Sequence, residues 1–279
     1  MIRAGDWEAE IRPEIGGAIA ALRLRGVDIL RAMPAASTDP LESACFPLIP
    51  YCNRLRNGRF SWHGRQVSLP LNFIPETNTL HGLAWQSIWN IDELSEPQVN
   101  LRWGYSGHDL WISQFEAVQQ VMLDESGCAI VLSLRNTGQE TMPAGLGLHP
   151  YFRRRPETRV RFGASSVMLT DEATMPTGIE APADHFGQFA AADLLPSETI
   201  DHCYRGWGGT VEIEDELGTI VMTASGAPHL HVYAPADGSA LCFEPVSHTP
   251  DALNRAPGEM HMLAPGETAQ LSMRIEARN

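Results

Sequence analysis

Residues 115–134 read FEAVQQVMLDESGCAIVLSL, and this stretch decides the fold class. On both sides of the polar turn at 124–127 (DESG), apolar residues alternate or run together as they do in β-strands. A short turn rich in Asp, Ser and Gly between two such runs is typical of a β-hairpin. The sequence therefore predicts an antiparallel strand pair over 115–123 and 128–134.

Segments of the same character extend from this hairpin in both directions. A second hairpin is predicted at 210–213 and 219–222, and further strands at 9–12, 18–24, 160–162, 229–233 and 271–275. Helical periodicity is almost missing, with room for one short turn in 181–195. Segments 34–40 and 176–184 are loops by composition, but strands resume on either side of each. Many short strands separated by turns predict one all-β domain over residues 1–279, a sandwich or a barrel.

The charge composition excludes several classes of function. The chain has 34 acidic and 20 basic residues, a formal net charge of −14, and every basic residue is arginine. Without lysine there is no Schiff base, hence no pyridoxal phosphate site, and no P-loop. So acidic a chain also lacks the positive surface that nucleic acids and anionic membranes require. We therefore expect a small-molecule partner, with no nucleic acid and no membrane.

The cysteine and hydropathy patterns point to the cytoplasm. The five cysteines are scattered and never form C-x-x-C, which is typical of reduced thiols rather than of a disulfide framework or a zinc site. No run approaches 18 apolar residues, and the opening MIRAGDWEAEI lacks the apolar region of a signal peptide. We therefore expect a cytoplasmic protein.

Polar residues interrupt the strand pattern in four segments. These are 46–58 (FPLIPYCNRLRNG), 80–85 (LHGLAW), 145–152 (GLGLHPYF) and 242–247 (CFEPVS). Taken singly, each has a structural explanation: His149 is a hydrogen-bonded loop residue, for example, and Glu244 an exposed strand end. Brought together, a carboxylate and an imidazole serve acid–base chemistry near neutral pH if each favours the charged form of the other.

The order of these segments resembles that of the aldose 1-epimerases, the galactose mutarotase-like proteins. The matching residues extend over nearly the whole chain and are Asn53, Arg54, Gly58, Phe60, Gly64, Arg65, His81, Gly82, Trp89, Gly145, Gly147, His149, Pro150, Tyr151, Phe152, Asp201, Glu244 and Pro245. The resemblance implies a large antiparallel β-sandwich, the galactose mutarotase-like supersandwich, with a sugar cleft on one concave sheet. It also implies an isomerase that interconverts the α and β anomers of a free aldose.

The resemblance further implies a role for each site residue. Glu244 is the general base for the C1 hydroxyl, and His149 is the general acid for the ring oxygen. The residues that bind and orient the sugar hydroxyls are His81, Asp201, Arg54 and Asn53. Hemiacetal opening removes one proton and adds another at two oxygens of one carbon, so neither metal nor organic cofactor is expected. We expect the two groups to face each other about a sugar ring apart, in a monomer or homodimer.

Three alternatives stay open at this point. In a hexose-phosphate mutarotase, two of Arg153, Arg154 and Arg155 would point into the cleft and hold the phosphate. A non-catalytic sugar-binding or sensor protein on the same fold would not require an acid–base pair. His229 and His231 alternate on one strand and could mimic a metal pair, although no third ligand lies at a helpful spacing.

The identity of the sugar is also open. Galactose mutarotases carry a G-x-P-G turn where this chain has SGHDLWISQF at 106–115, which places galactose specificity in question. An aromatic side chain could cover the apolar face of the sugar ring. The candidates for that position are Trp85, Trp111 and Tyr151.

Overall fold

The computed structural model describes residues 1–107 and 109–278. Along much of this length, alternating apolar and polar residues form β-strands. In chain order the strands are Ile2–Ala4 (β1), Trp7–Arg12 (β2), Ala18–Leu24 (β3), Val27–Leu30 (β4), Cys45–Leu48 (β5), Arg54–Leu55 (β6), Arg59–Trp62 (β7), Arg65–Ser68 (β8), Thr79–Leu80 (β9), Asn90–Ser95 (β10), Gln98–Tyr105 (β11), Phe115–Asp124 (β12), Gly127–Asn136 (β13), Met142–Ala144 (β14), Gly147–Pro150 (β15), Arg159–Phe162 (β16), Ser166–Thr170 (β17), Pro176–Pro182 (β18), Asp193–Leu194 (β19), Ile200–Arg205 (β20), Thr210–Asp215 (β21), Gly218–Ser225 (β22), His229–Ala234 (β23), Cys242–Val246 (β24), His261–Leu263 (β25) and Thr268–Arg278 (β26). The helical segments are Ala252–Arg255 (α1) and the short 3-10 helices Pro40–Glu42, Arg56–Gly58, Ala84–Gln86, Phe189–Ala191 and Pro257–Glu259. Among the described residues, no helix has the length and apolar character needed to cross a membrane.

Two antiparallel sheets contain most of these strands. Within the described ranges, the larger sheet has eleven strands in the order β1-β2-β3-β5-β15-β24-β23-β20-β17-β18, with β4 paired to β3. The smaller sheet has nine, in the order β10-β11-β12-β13-β26-β22-β21-β16-β19. Buried side chains from both sheets, such as Leu148 of the larger and Leu132 of the smaller, form one hydrophobic cluster. The predicted all-β sandwich is therefore confirmed.

Strands β12 and β13 form the hairpin predicted from residues 115–134. Their register runs from Phe115 opposite Asn136 to Asp124 opposite Gly127. Every second residue of β12 is buried, as the two-residue period of a strand requires. Gln119 is the polar member of the buried set, and its Nε2 donates to the carbonyl oxygen of Gly17 at 2.7 Å. This bond ties the smaller sheet to the turn between β2 and β3.

The other strand predictions are confirmed as β2, β3, β16, β21, β22, β23 and β26. The loop predicted at 176–184 is wrong over most of its length, because Pro176–Pro182 is an edge strand that pairs with β17. Its two prolines donate no backbone hydrogen bond, and an edge strand tolerates that loss on its open side. The composition of this strand therefore resembles that of a loop.

All five cysteines are free and buried. Cys45, Cys203 and Cys242 lie on β5, β20 and β24 of the larger sheet, and Cys52 follows β5. Cys128 lies on β13 of the smaller sheet. The fold is therefore stabilised by its apolar core and its strand pairing, without a disulfide.

The larger sheet has two different faces at its middle, where β5, β15, β24, β23 and β20 are neighbours. Phe243 on β24 packs into the core between the two sheets. Cys242 and Val246 belong to a second, smaller cluster, because successive side chains of a strand point to opposite faces. Glu244 lies between them in the same alternation and shares their face. Trp85, from the 3-10 helix Ala84–Gln86, also packs into that second cluster.

Candidate active site

The six residues predicted to form the sugar site line one open cavity of about 440 Å³ on this second face. They are Asn53, Arg54, His81, His149, Asp201 and Glu244. The other residues that line the cavity are Arg31, Leu41, Phe73, Glu76, Leu80, Tyr151, His231, Tyr233, Ser239 and Ala240. The fold thus brings together side chains from β6, β9, β15, β20, β23 and β24 and from several connecting segments.

Glu244 and His149 are in direct contact at the floor of the cavity. Nε2 of His149 lies 3.3 Å from Oε1 of Glu244, and both side chains are buried. The sequence-based expectation of a sugar ring's separation is therefore wrong. Strands β15 and β24 are neighbours with Gly147 opposite Val246, so that register places positions 149 and 244 side by side. Adjacent strands are about 4.8 Å apart, and a sugar therefore has to lie over the pair rather than between its members.

Burial sets the protonation of this pair. It raises the pKa of Glu244 to about 8, and burial together with the nearby His231 lowers the pKa of His149 to about 3. Between these values the pair holds one proton, which rests on the carboxyl group because the apolar surroundings disfavour both charges. The expectation that each group favours the charged form of the other does not hold for this pair. Oε2 of Glu244 is buried without a hydrogen-bond partner in the described chain, which adds to the cost of ionising the carboxyl group.

The imidazole of His149 is held between two aromatic rings. Phe46 stacks against it with the ring centroids 4.7 Å apart, and Tyr151 stacks against it at 4.6 Å. The guanidinium carbon of Arg31 lies 3.7 Å from the centroid of the Tyr151 ring. This stack fixes the plane of His149, so that its Nε2 stays directed at Glu244.

A second histidine, His231, lies opposite Glu244 on the neighbouring strand β23. Its Nε2 lies 2.7 Å from Oδ1 of Asp201. Burial alone would lower the pKa of His231, but the carboxylates of Glu244 and Asp201 raise it to about 10. At neutral pH His231 is therefore an imidazolium beside the acid–base pair. The only sequence signal for it was the alternation with His229, which suggested a metal pair.

Arg54 is held in place by two carboxylates. Its Nε and Nη2 donate to the two oxygens of Glu76 at 2.9 and 2.8 Å, and Nη1 lies 3.6 Å from Oδ2 of Asp201. The paired oxygens of Glu76 match the two parallel donors of the guanidinium, which fixes its orientation. Glu76 was missed by the sequence analysis because nothing in its loop composition distinguishes it.

Asn53 and His81 are linked by two hydrogen bonds, each donated by a backbone N–H group. The N–H of Asn53 donates to Nδ1 of His81 at 3.1 Å, and the N–H of His81 donates to the carbonyl oxygen of Asn53 at 2.9 Å. Both residues have left-handed backbones, with φ of 57° each, and such conformations are frequently found at functional sites. Burial lowers the pKa of His81 well below its ordinary value. The neutral ring therefore carries its proton on Nε2 and can donate it to a ligand.

The fold also creates a group of potential metal ligands that sequence spacing does not reveal. Ligand atoms of His81, His149 and Glu244 lie within 4.8 Å of one another. Nδ1 of His81 accepts the N–H of Asn53, so the remaining nitrogen carries the proton and neither offers a free lone pair. The group therefore fits hydrogen bonding to a sugar better than it fits a metal ion.

The arginine run does not reach the cavity. Arg153 pairs with Asp215 at 2.6 and 3.0 Å, and Arg155 pairs with Glu216. Arg154 donates to the carbonyl oxygens of Pro235 and Ala240 at 2.7 and 3.2 Å. The phosphate clamp considered for Arg153–Arg155 is therefore absent from the described cavity wall.

The aromatic candidates divide in a similar way. Tyr151 lines the cavity, whereas Trp85 lies behind it, stacked on Phe46, and Trp111 packs in the core between Tyr51 and Phe60. Besides Glu76, the sequence analysis did not single out six residues that line the cavity. These are Arg31, Leu41, Phe73, Tyr233, Ser239 and Ala240.

Comparison with known proteins identifies the same architecture. The aldose 1-epimerase family matches residues 4–276 of this chain. The Escherichia coli (strain K12) protein YphB, which is uncharacterized, is 32% identical over 248 residues, covering 84% of each chain. A crystal structure of a candidate aldose 1-epimerase from Escherichia coli K12 has a TM-score of 0.92 at 27% identity, covering 99% of this chain and 97% of that one.

Similarity to galactose mutarotases themselves is more limited. The galactose mutarotase of Rattus norvegicus is 29% identical over 149 residues, which are 47% of this chain and 40% of that protein. The match of the family along almost the whole length, the YphB similarity and the shared fold lead to one assignment. This chain belongs to the aldose 1-epimerase family.

Proposed function

We propose that the protein interconverts the α and β anomers of a free aldose by acid–base ring opening and closure. The observation that carries this proposal is the buried contact between Glu244 and His149, 3.3 Å apart on the floor of an open cavity. One shared proton, one acceptor and one donor are what hemiacetal opening requires.

The reaction follows from a sugar whose C1 lies over the pair. Glu244 takes the proton of the C1 hydroxyl, while His149 protonates the ring oxygen, and the bond between C1 and the ring oxygen breaks. The product is the open-chain aldehyde; rotation about C1–C2 and reversal of both transfers give the other anomer. Ring opening by these two transfers requires that Glu244 is ionised and that His149 is protonated. That state has the same number of protons as the resting pair and forms when the shared proton crosses the 3.3 Å contact.

Two cations beside Glu244 favour its ionised form. His231 and Arg54 both lower the pKa of Glu244, against the larger opposing effect of burial. They therefore offset part of the desolvation cost of the carboxylate that acts as base. Each positioned proton transfer contributes roughly 10²–10⁴-fold to the rate.

The remaining residues suit sugar hydroxyls. His81 presents an N–H donor, Arg54 and Asp201 offer charged hydrogen-bonding groups, and Asn53 positions His81. Hydrogen bonds from hydroxyls to charged groups are stronger than those between neutral groups. The Tyr151 ring also lines the cavity, but His149 and Arg31 lie against it.

We place this reaction in a reducing compartment, the cytoplasm. All five cysteines are free and buried in the fold. Proteins that depend on an oxidising compartment commonly pair such thiols. Recovery of the protein with five reactive thiols after unfolding in non-reducing buffer would support the placement.

The direct test is anomer exchange measured by NMR magnetisation transfer on a panel of free aldoses. Exchange above the buffer rate for at least one aldose, lost in Glu244→Gln, supports the enzyme. Binding of an aldose in calorimetry without faster exchange would instead identify a sugar-binding protein and overturn the proposal.

A further inference from the structure

Arg31 is a cation at the cavity wall that the reaction described above does not use. It follows β4, and its Nη2 donates to the carbonyl oxygens of Leu41 and Ser43 at 2.6 and 3.1 Å. These bonds and the contact with the Tyr151 ring fix the guanidinium beside the cavity. Its Nε is buried and has no hydrogen-bond partner within the described chain.

The other cations of the cavity are neutralised by carboxylates. Arg54 pairs with Glu76 and Asp201, and His231 pairs with Asp201. For Arg31, no carboxylate of the described residues lies within ion-pair distance. The partners of Arg31 are two backbone carbonyl oxygens and the Tyr151 ring, none of which carries a negative charge. The cavity therefore has one positive charge that no side chain balances.

The position of this charge relative to the acid–base pair indicates which part of a sugar it meets. Tyr151 lies between the two, with its ring centroid 4.6 Å from that of His149 and 3.7 Å from the Arg31 guanidinium carbon. The Tyr151 ring therefore separates Arg31 from the pair, so that a sugar with C1 over His149 and Glu244 can meet Arg31 only with a part remote from C1. Leu41, whose carbonyl oxygen accepts from Arg31, lines the cavity beside it.

We propose that the substrate is an aldose with an anionic substituent, a carboxylate or a phosphate, at the end of the ring remote from C1, and that Arg31 binds it. This inference rests on the proposed epimerase function and names its substrate class. A guanidinium forms strong, directional bonds to carboxylate and phosphate oxygens. The unbalanced cation thus gains the partner that the protein itself does not supply.

The first test compares matched sugars on the unaltered protein. D-glucose, D-glucuronate and D-glucose 6-phosphate, with D-galactose, D-galacturonate and D-galactose 6-phosphate, are assayed for anomer exchange by NMR. We expect kcat/KM for an anionic member to exceed that of its neutral counterpart by about 10–100-fold, the range of a charge-assisted bond. The two anionic arms show whether carboxylate or phosphate is preferred, and either preference supports the proposal.

The second test uses Arg31→Gln and Arg31→Lys. We expect the ratio of anionic to neutral kcat/KM to fall to near one in Arg31→Gln and to be partly retained in Arg31→Lys. Arg135→Gln is the control, because Arg135 also donates to a backbone carbonyl oxygen, that of Gly266 at 3.3 Å, and neither residue lines the cavity. It should leave the ratio and the neutral-sugar activity unchanged.

The failures of the two proposals are distinguishable. Exchange of no aldose at all overturns the enzyme function. Exchange of neutral sugars at least as efficient as that of anionic ones overturns the role of Arg31 and leaves the epimerase standing. An equal loss for all sugars in Arg31→Gln likewise makes Arg31 structural. Should that variant not fold, the comparison on the unaltered protein still decides.

Discussion

Glu244 is the side chain on which the proposed chemistry depends most directly. Glu244→Gln keeps its shape and a hydrogen-bonding amide but cannot accept a proton. We expect kcat to fall by about 10²–10⁴-fold with little change in sugar affinity. NMR exchange rates and calorimetric binding measure the two effects. Glu116→Gln, which removes a carboxylate paired with Arg102 outside the cavity, is the control; near-parental turnover in Glu244→Gln would move the base elsewhere.

The pair should be active while it holds one proton. Below a pH of about 3 the pair gains a second proton on His149, and above about 8 it loses the shared proton from Glu244, following their pKa values. We therefore expect a bell-shaped dependence of kcat/KM on pH with its basic limb near 8. The assignment is the reverse of the simple one, in which the carboxyl sets the acid limb and the imidazole the basic one. A basic limb near 6.5, the ordinary pKa of histidine, would contradict it.

His231 should set the position of that basic limb. Its positive charge lowers the pKa of Glu244, so His231→Gln should raise that pKa and move the limb to higher pH. His229→Gln is the control, because His229 lies on the same strand but its Nε2 is near Glu259 rather than Glu244. The pH dependence of kcat/KM in both variants is the measurement, and an unmoved limb in His231→Gln would refute the electrostatic role.

At the scale of elements, Gly82 allows the loop that carries His81 to pack closely against Ile49, which directly follows β5. Its φ is +77°, and an added Cβ would lie 2.1 Å from the carbonyl oxygen of Ile49. Gly26 has a similar φ of +75° but no atom within 4 Å of such a Cβ. Gly82→Ala should therefore cost about 1–3 kcal/mol more than Gly26→Ala, which carries only the conformational penalty. Urea denaturation of both variants measures the difference, and equal losses would show that the loop adapts.

The strands that sequence predicts well are those defined by nearby residues. The hairpin at 115–134 combines alternation with its own turn, and no distant partner is needed to recognise it. β18 was taken for a loop because pairing with β17, rather than its own composition, makes it a strand. The contact between His149 and Glu244 depends on β15 and β24 being neighbours in register, which is a property of the sheet order.

The site residues also differ in whether they can be recognised from the sequence or only from the folded structure. The six predicted residues were found by resemblance in motif order, and they line one cavity. Arg31 and Glu76 were not singled out, and His231 was considered only as one of a possible metal pair, because the importance of all three comes from charges that surround them only in the folded chain. The unbalanced charge of Arg31 in particular requires knowing where every nearby carboxylate lies.

At the scale of the whole molecule, buried histidines should shape the dependence of stability on pH. The native protein binds fewer protons than the unfolded chain at the histidines whose pKa burial lowers. The pKa of His149 falls to about 3 and those of His202 and His248 to about 4, and the pKa values of His81, His229 and His261 are also lowered. Stability should therefore rise as pH increases from about 4 to 6.5. The native protein binds more protons at Glu244 up to about 8 and at His231 up to about 10.

Above pH 6.5 these two groups reverse the slope, so stability should fall from there to pH 8.5. The urea midpoint measured in steps between pH 4 and 9 should pass through a maximum near 6.5. Glu244→Gln should flatten the descending side. A midpoint that keeps rising above pH 6.5 would show that Glu244 and His231 do not hold their protons more tightly in the folded state.

The distribution of the five buried cysteines gives the molecule a set of built-in reporters. Modifying reagents reach a thiol only when the structure around it opens. Cys128 reports on the smaller sheet, whereas Cys45, Cys203 and Cys242 report on the strands beneath the cavity. Mass spectrometry of partly alkylated protein would therefore reveal which layer of the sandwich opens first. A ligand that stabilises the cavity would delay labelling of the three cysteines beneath it.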